Sequence, residues 1–344
     1  GELPIEVTVQ DRAPRSIGFG GTYSTLDGLG IEAYWQHRNL FGRAERLRFS
    51  ASIERLLVSI DPSEYNYNFG VSFTKPGVWT PDTDFVTGAL ARQLDFENYR
   101  ERSVSAQIGI SQQFGRYLNG EIFLQAARSR FEDDFGTRDF TTFALVARGE
   151  YDRRRIDPLD AIGGYFLSAD VEPLYEANFG NTALRTSLEG RGYFAIDEDA
   201  KYVLAGRAKV GNFFGPPPEE SPPNLLFFAG GGGSIRGYEY RSIGVEVTDP
   251  DGESGIVGGA GLFETSAEFR VRLNENFGAV GFIDAGIVTE DPYFNGETDL
   301  RAGAGLGVRS FTGIGALRAG VGTPINPGPQ DSAVALYSGL GQAV

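Results

Sequence analysis

Apolar side chains recur in this chain at every second position, in segments of about ten residues, the length of one tilted bilayer crossing by a β-strand. In residues 103–114, Val104, Ala106, Ile108 and Ile110 alternate with Ser105, Gln107, Gly109 and Ser111. In residues 262–272, Phe263, Thr265, Ala267, Phe269 and Val271 alternate with Glu264, Ser266, Glu268, Arg270 and Arg272. Leu184, Thr186 and Leu188 do the same against Arg185, Ser187, Glu189 and Arg191. A period of two excludes helices for these segments, because a helix repeats its faces every 3.6 residues. Similar segments begin near Arg15, Gly30, Arg46, Tyr65, Asp84, Asn119, Arg138, Gly163, Lys201, Asn276, Thr298, Gly313 and Ser332. The total is about sixteen, an even number, as single-chain bacterial barrels require.

The polar positions choose between a soluble sandwich and a membrane barrel. A sandwich turns its charges outward and shares an apolar core between two sheets, and its sheets seldom reach so many strands. Here Arg48, Arg185, Glu189, Arg191, Arg207, Lys209, Glu264, Glu268, Arg270, Arg272, Arg301 and Arg318 would line a wet lumen of mixed sign. The expected fold is therefore all-β: a 16-stranded antiparallel transmembrane β-barrel over residues 13–344. No run approaches the ~20 apolar residues of a membrane-spanning helix, which a barrel does not need. Trp35, Tyr65, Tyr67, Trp79 and Tyr202 fit aromatic girdles at the membrane interfaces.

Composition removes several classes of function. The chain has no cysteine, so thiolate metal sites and cysteine nucleophiles are excluded. A net charge of −15 argues against nucleic-acid partners. The single histidine, His37, has no serine and carboxylate arrayed around it in a way that suggests catalysis. The glycines at 230–233 lack the Lys-Ser/Thr that would complete a phosphate loop. The acidic stretches 132–134 and 249–253 lack calcium-loop spacing. Neither an enzyme nor a cofactor is expected.

Short connections (274–276, 310–313) belong on the periplasmic side, and long ones (131–139, 289–297 and 212–258) outside. With both termini periplasmic, 212–258 is the sixth external loop, between the eleventh and twelfth strands. A connection this long within a compact fold is usually functional. Its middle is apolar and glycine-rich, which suits a loop folded back into the lumen.

Ile235-Arg236-Gly237-Tyr238 in this loop resembles the Val/Ile-Arg-Gly-Phe/Tyr loop motif of the BamA/TamA/two-partner secretion barrel superfamily. The string from Phe228 to Tyr240 looks most like the TamA (translocation and assembly module) branch. Asp157-Pro158-Leu159-Asp160 resembles the family's periplasmic turn before the ninth strand, and Gly281-Phe282-Ile283-Asp284-Ala285-Gly286 its Phe-x-Asp-x-Gly strand motif. Residues 13–24 and 35–42 resemble its first two strands.

By alternation, Glu268 and Asp284 face inward on the twelfth and thirteenth strands, and a lumenal Arg236 needs carboxylate partners. The resemblance implies the same pairing, a latch of Arg236 on Glu268 and Asp284. Gly18, Gly20 and Gly21 on the first strand and Gly339 and Gly341 on the last weaken the seam between them. In the family, such a seam resembles a lateral gate that opens toward lipid and templates an incoming strand.

The resemblance further implies an integral protein of the Gram-negative outer membrane that helps autotransporters and other β-barrel proteins fold. Its partners would be unfolded outer-membrane clients, outer-membrane lipids and a TamB-like inner-membrane-anchored protein reached through upstream POTRA domains. Residues 1–12 would be the end of the last POTRA domain or a linker. The alternative is a two-partner secretion pore exporting a dedicated substrate.

Overall fold

In a computed structural model the described residues are 13–24, 28–57, 60–157, 160–248, 254–293, 300–312, 315–328 and 331–340. The first half of the chain forms β1 (Arg15–Ser24), β2 (Gly28–His37), β3 (Arg46–Leu56), β4 (Asn66–Lys75), β5 (Thr83–Asp95), β6 (Arg100–Phe114), β7 (Leu118–Asp133) and β8 (Gly136–Asp152). A stub, β9 (Arg155–Asp157), precedes β10 (Asp160–Glu176), β11 (Asn181–Ala195) and β12 (Tyr202–Phe214). A loop follows, holding two 3-10 turns and a small hairpin of β13 (Val245–Thr248) and β14 (Ser254–Val257). The wall resumes with β15 (Gly261–Arg272), β16 (Phe277–Thr289), β17 (Arg301–Thr312), β18 (Gly315–Pro324) and β19 (Ala335–Leu340).

Setting aside the stub and the loop hairpin, sixteen strands run antiparallel, each paired with the next along the chain. The expectation of an all-β antiparallel sheet of this size holds. The wall curls until β1 and β19 lie side by side with Cα atoms within 8 Å. No hydrogen-bonded ladder joins these two strands among the described residues, whereas β1–β2 and β18–β19 pair in continuous register.

Alternation decides the two faces. Phe19 and Leu306 turn outward and are 81% and 68% exposed, and Phe69, Leu124, Leu188 and Ile283 share that face. The opposite face carries the charged residues of β10–β12 and β15–β18 and is covered by the 215–260 loop. The loop's apolar residues, Leu226, Phe227, Ala229, Ile235, Tyr238 and Ile243, pack against Phe213, Leu262 and Val288 of the wall.

Two expectations need correction. Residues 131–139 are not a long loop: the β7–β8 ladder continues through Phe131↔Arg138 to Asp133↔Gly136, leaving Asp134 and Phe135 as the turn. The strands there are also longer than ten residues, with β8 and β10 at 17. The extra length has inner-face partners. Phe131 and Phe140 are fully buried beside Tyr99 and Phe228, and the Arg138 guanidinium donates to the carbonyls of Pro218 and Glu219 in the loop. Residues 1–12, the acidic stretch 249–253 and Gly341 lie outside the described residues, as do 158–159 of the turn before β10.

Candidate functional site

The site starts from a glycine-rich loop tip. Gly231 N–H donates to the Tyr238 carbonyl, and Gly230 N–H to the Ser234 hydroxyl, folding 230–238 into a tight turn. Gly237 has φ +114°, and a Cβ there would fall 2.8 Å from the Thr323 carbonyl carbon on β18. Only glycine reconciles that backbone conformation with that approach. The wall yields in the same way at Gly303 on β17, where a Cβ would overlap the Arg236 carbonyl oxygen.

Pressed onto this floor, Arg236 is 7% exposed, Glu268 2% and Asp284 1%. Arg236 Nε and Nη2 donate to the two Asp284 carboxylate oxygens at 2.7 and 2.8 Å, and its backbone N–H reaches Asp284 at 3.0 Å. Nη1 donates to Glu268 at 2.6 Å, and Nη2 also to the Ser266 hydroxyl at 3.1 Å. The guanidinium carbon lies 3.7 Å from the centroid of the Phe282 ring, so the planar cation is stacked as well as paired. Every hydrogen-bonding edge of the fork has an acceptor, an arrangement an ammonium cannot copy.

Glu268 is shared. Its second oxygen accepts from Arg270 at 2.8 Å and Arg309 at 2.9 Å, and both of those arginines also reach Asp160 at the start of β10. One connected ionic cluster therefore links β10, β15, β16, β17 and the loop. A second cluster lies beside it: Arg207 holds Glu189 at 3.0 Å and Glu264 at 3.1 Å, and the Ser234 hydroxyl of the loop donates to Glu264.

The neighbouring loop residues complete the seat. Ile235 is fully buried and its Cδ1 rests against Gly286. The Tyr238 hydroxyl bonds the Ala302 carbonyl at 3.2 Å and the Asn326 side chain at 3.0 Å. Gly237 N–H donates to the Tyr337 hydroxyl on β19, which ties the loop tip directly to the last strand. Alternation had put Glu268 and Asp284 on one face, and the structure brings Arg236 to both. Ser266, Phe282, Asp160, Arg309, Gly303 and Tyr337 had not been assigned to the site. Of these, Ser266 and Phe282 carried a signal, since both share the inward parity of the chosen acids.

Residues 39–344 match the Omp85 superfamily domain. The chain belongs to the Omp85 superfamily. Its fold is similar to that of BamA from Haemophilus ducreyi lacking POTRA domains 1–3, with a TM-score of 0.80 at 18% identity, covering 96% of this chain and 70% of that one. CdiB from Acinetobacter baumannii matches at TM-score 0.60 and 14% identity, covering 94% of this chain and 58% of the other. CdiB from Escherichia coli gives 0.60 and 14%, over 96% and 63%. At such identities the likeness is one of fold.

In this Omp85 chain the glycines of the first strand have identifiable neighbours. A Cβ at Gly18 would overlap the Tyr34 ring, and one at Gly20 would lie 2.7 Å from Glu32 Cγ, so side chains of β2 lie over β1. Tyr34 is covered in turn by the Arg48 guanidinium, 3.9 Å from its ring centroid. A Cβ at Gly21 would meet only the Gly30 carbonyl, at 3.7 Å. Gly339 pairs with Arg318 across the β18–β19 ladder.

Proposed function

We propose that this chain is the barrel of an outer-membrane assembly factor of the TamA kind, which helps autotransporters and other β-barrel proteins fold through a gate between β1 and β19. The observation that carries the reading is the contrast between two junctions. The loop tip is held by a buried guanidinium with a partner on each nitrogen, while β1 and β19 stand side by side without a ladder among the described residues. A barrel closed by ladders all round has no free edge. Two adjoining edges without a ladder offer backbone donors and acceptors to an incoming strand, the chemistry of β-augmentation.

The broad outward apolar face supports a bilayer setting, since soluble proteins rarely expose contiguous apolar surface on that scale. In this reading the 215–260 loop is the sixth extracellular loop, folded into the lumen, and Ile235, Arg236, Gly237 and Tyr238 latch it to Glu268 and Asp284. Unfolded outer-membrane proteins are the clients, and outer-membrane lipids surround the wall. A TamB-like protein anchored in the inner membrane is the partner, engaged through POTRA domains. No cofactor or catalytic residue takes part. The export-pore reading has one observation of its own, a cavity of about 320 Å³ with a mixed lining that includes Ser50, Ser72, Ser103, Ser105 and Gln107 on the inner face of β3–β6.

The test is a disulfide between cysteines placed at Gly20 and Gly339. The chain is reconstituted in liposomes, and folding of an autotransporter barrel is followed by its resistance to added protease. Cross-linking should abolish the acceleration and a thiol reductant should restore it. Full acceleration by the cross-linked form would refute the gate, and export of an unfolded polypeptide by that form would favour the pore.

A further inference from the structure

We propose that the outward face of β5–β7 carries a binding site for the phosphate group of a membrane lipid, formed by Arg102 and Arg128. The setting of this site, though not its geometry, rests on the outer-membrane reading above.

The cross-strand registers arrange the outward side chains of β3–β8 in rows. Phe131 is fully buried toward the loop, so its neighbour Arg130, and Arg128 two residues before, point the opposite way. One row, Phe49, Val71, Ala89, Ala106, Ala126 and Phe143, contains no polar group. Two rows nearer the loop end of the wall stand Tyr67, Gln93, Arg102, Arg130 and Asp139. Between them runs Ala51, Phe69, Ala91, Val104, Arg128 and Thr141. The change from hydrocarbon to polar chemistry takes place across this middle row, the level at which lipid headgroups meet acyl chains.

The arginines at this boundary are unequal. Arg130 is satisfied, with a two-pronged pair to Asp139 at 2.8 and 2.9 Å. Among the described residues Arg102 has only the neutral amide oxygen of Gln93 as a hydrogen-bond partner, at 3.1 Å. Arg128 has no hydrogen bond or ion pair among the described residues, and both side chains are exposed. Arg102 lies opposite Arg130, and Arg128 lies opposite Val104, so Arg102 and Arg128 are diagonal neighbours on adjacent strands. Both border one groove of about 680 Å³, whose apolar lining includes Ala51, Phe69, Ala91 and Val104.

Two guanidiniums with no salt bridge among the described residues, above an apolar groove, match an amphiphile with an anionic head and a hydrocarbon tail. A planar fork binds phosphate oxygens in pairs. Two such cations match the near-dianionic charge of a phosphate monoester better than the single charge of a diester. The occupant is therefore a phosphomonoester-bearing lipid of the leaflet on the loop side, with one acyl chain lying along the alanines of β3, β5, β6 and β7.

The experiment inserts the chain into phosphatidylcholine nanodiscs doped either with lipid A, which carries phosphate monoesters, or with phosphatidylglycerol, and counts retained lipid by native mass spectrometry. The wild-type chain should retain lipid A over phosphatidylglycerol. Arg102→Gln with Arg128→Gln should lower that retention by about tenfold or more, as expected for losing two charge-assisted contacts, while Arg130→Gln changes it less. Undiminished lipid A retention in the double variant overturns the site, and equal retention of phosphatidylglycerol overturns the monoester assignment. Heat-modifiable gel migration reads insertion separately. A wild-type chain that never inserts refutes the outer-membrane reading itself, whereas an inserted chain with undiminished retention in the double variant refutes the lipid site alone.

Discussion

Arg236 is buried with a partner on each guanidinium nitrogen, which makes it sensitive to any change in its acceptors. Removing one member of such a set leaves the others as uncompensated buried charge, at roughly 3–5 kcal/mol. Arg236→Ala and Asp284→Ala should both lower the unfolding free energy, read from the urea transition in detergent, by an amount in that range. Arg236→Lys should recover only part of it, because an ammonium cannot answer Asp284, Glu268 and Ser266 together. A lysine variant as stable as the wild type would show that charge alone matters here. Gly303→Ala should damage the same seat without touching any charge, since the new methyl overlaps the Arg236 carbonyl. At this scale alternation was informative: it placed Glu268 and Asp284 on the inner face before any contact was known. It said nothing of Asp160 or Arg309, because their meeting depends on how far the wall curls between β10 and β17.

Between residues and the whole wall, the 215–260 loop behaves as an element in its own right, with bridges Phe227↔Gly259 and Ala229↔Ile243 and its own apolar core. Among the described residues its hydrogen bonds to the last strand both run through Tyr337, whose hydroxyl accepts from Gly237 N–H and donates to the Tyr238 carbonyl at 3.5 Å. Tyr337→Phe keeps the ring and removes the acceptor for Gly237 N–H, a loss of about 1–3 kcal/mol for a buried donor. The expected outcome is a changed rate of disulfide formation across a Gly20/Gly339 cysteine pair, with the Arg236 clamp intact. An unchanged rate would mean that the loop and the last strand are not coupled through this bond. The turn between β11 and β12 gives a pH-dependent case. Asp197 accepts from the Tyr202 N–H at 2.8 Å and the Lys201 N–H at 3.1 Å, and these backbone bonds, that of Tyr202 foremost, hold its carboxyl below the usual range. A lowered folded pKa stabilises the turn above the unfolded value of about 3.8 and withdraws that support as pH falls through the folded value. Amide exchange at Lys201 and Tyr202 should lose its excess protection over an Asp197→Asn control as the pH drops below about 4. The misjudged 131–139 segment shows the limit at this scale. Charged residues such as Glu132 and Asp133 read as loop, yet the ladder continues because Phe131 and Phe140 have Tyr99, just before β6, and the long loop's Phe228 to pack against.

Over the whole molecule, the inner face carries ionic clusters and a loop, and the outer face carries exposed aliphatic and aromatic side chains. Sixteen strands, their direction and the inward or outward assignment of each side chain follow from a period of two, which local sequence displays directly. Most of the connections follow from where that period breaks, as does the long loop with its Arg-Gly pair, but the extent of the β7–β8 turn does not. What tertiary structure alone decided is which distant residues meet: Glu268 as the shared partner of three arginines, Gly303 as the floor under Arg236, Tyr337 as the tie from loop to last strand, and Arg128, with no salt bridge among the described residues, beside Arg102 on the outer face. Periodicity reports the direction of a side chain from its own strand. Contact depends on the curl, the shear and the path of the loop, and those are set by every strand of the wall at once.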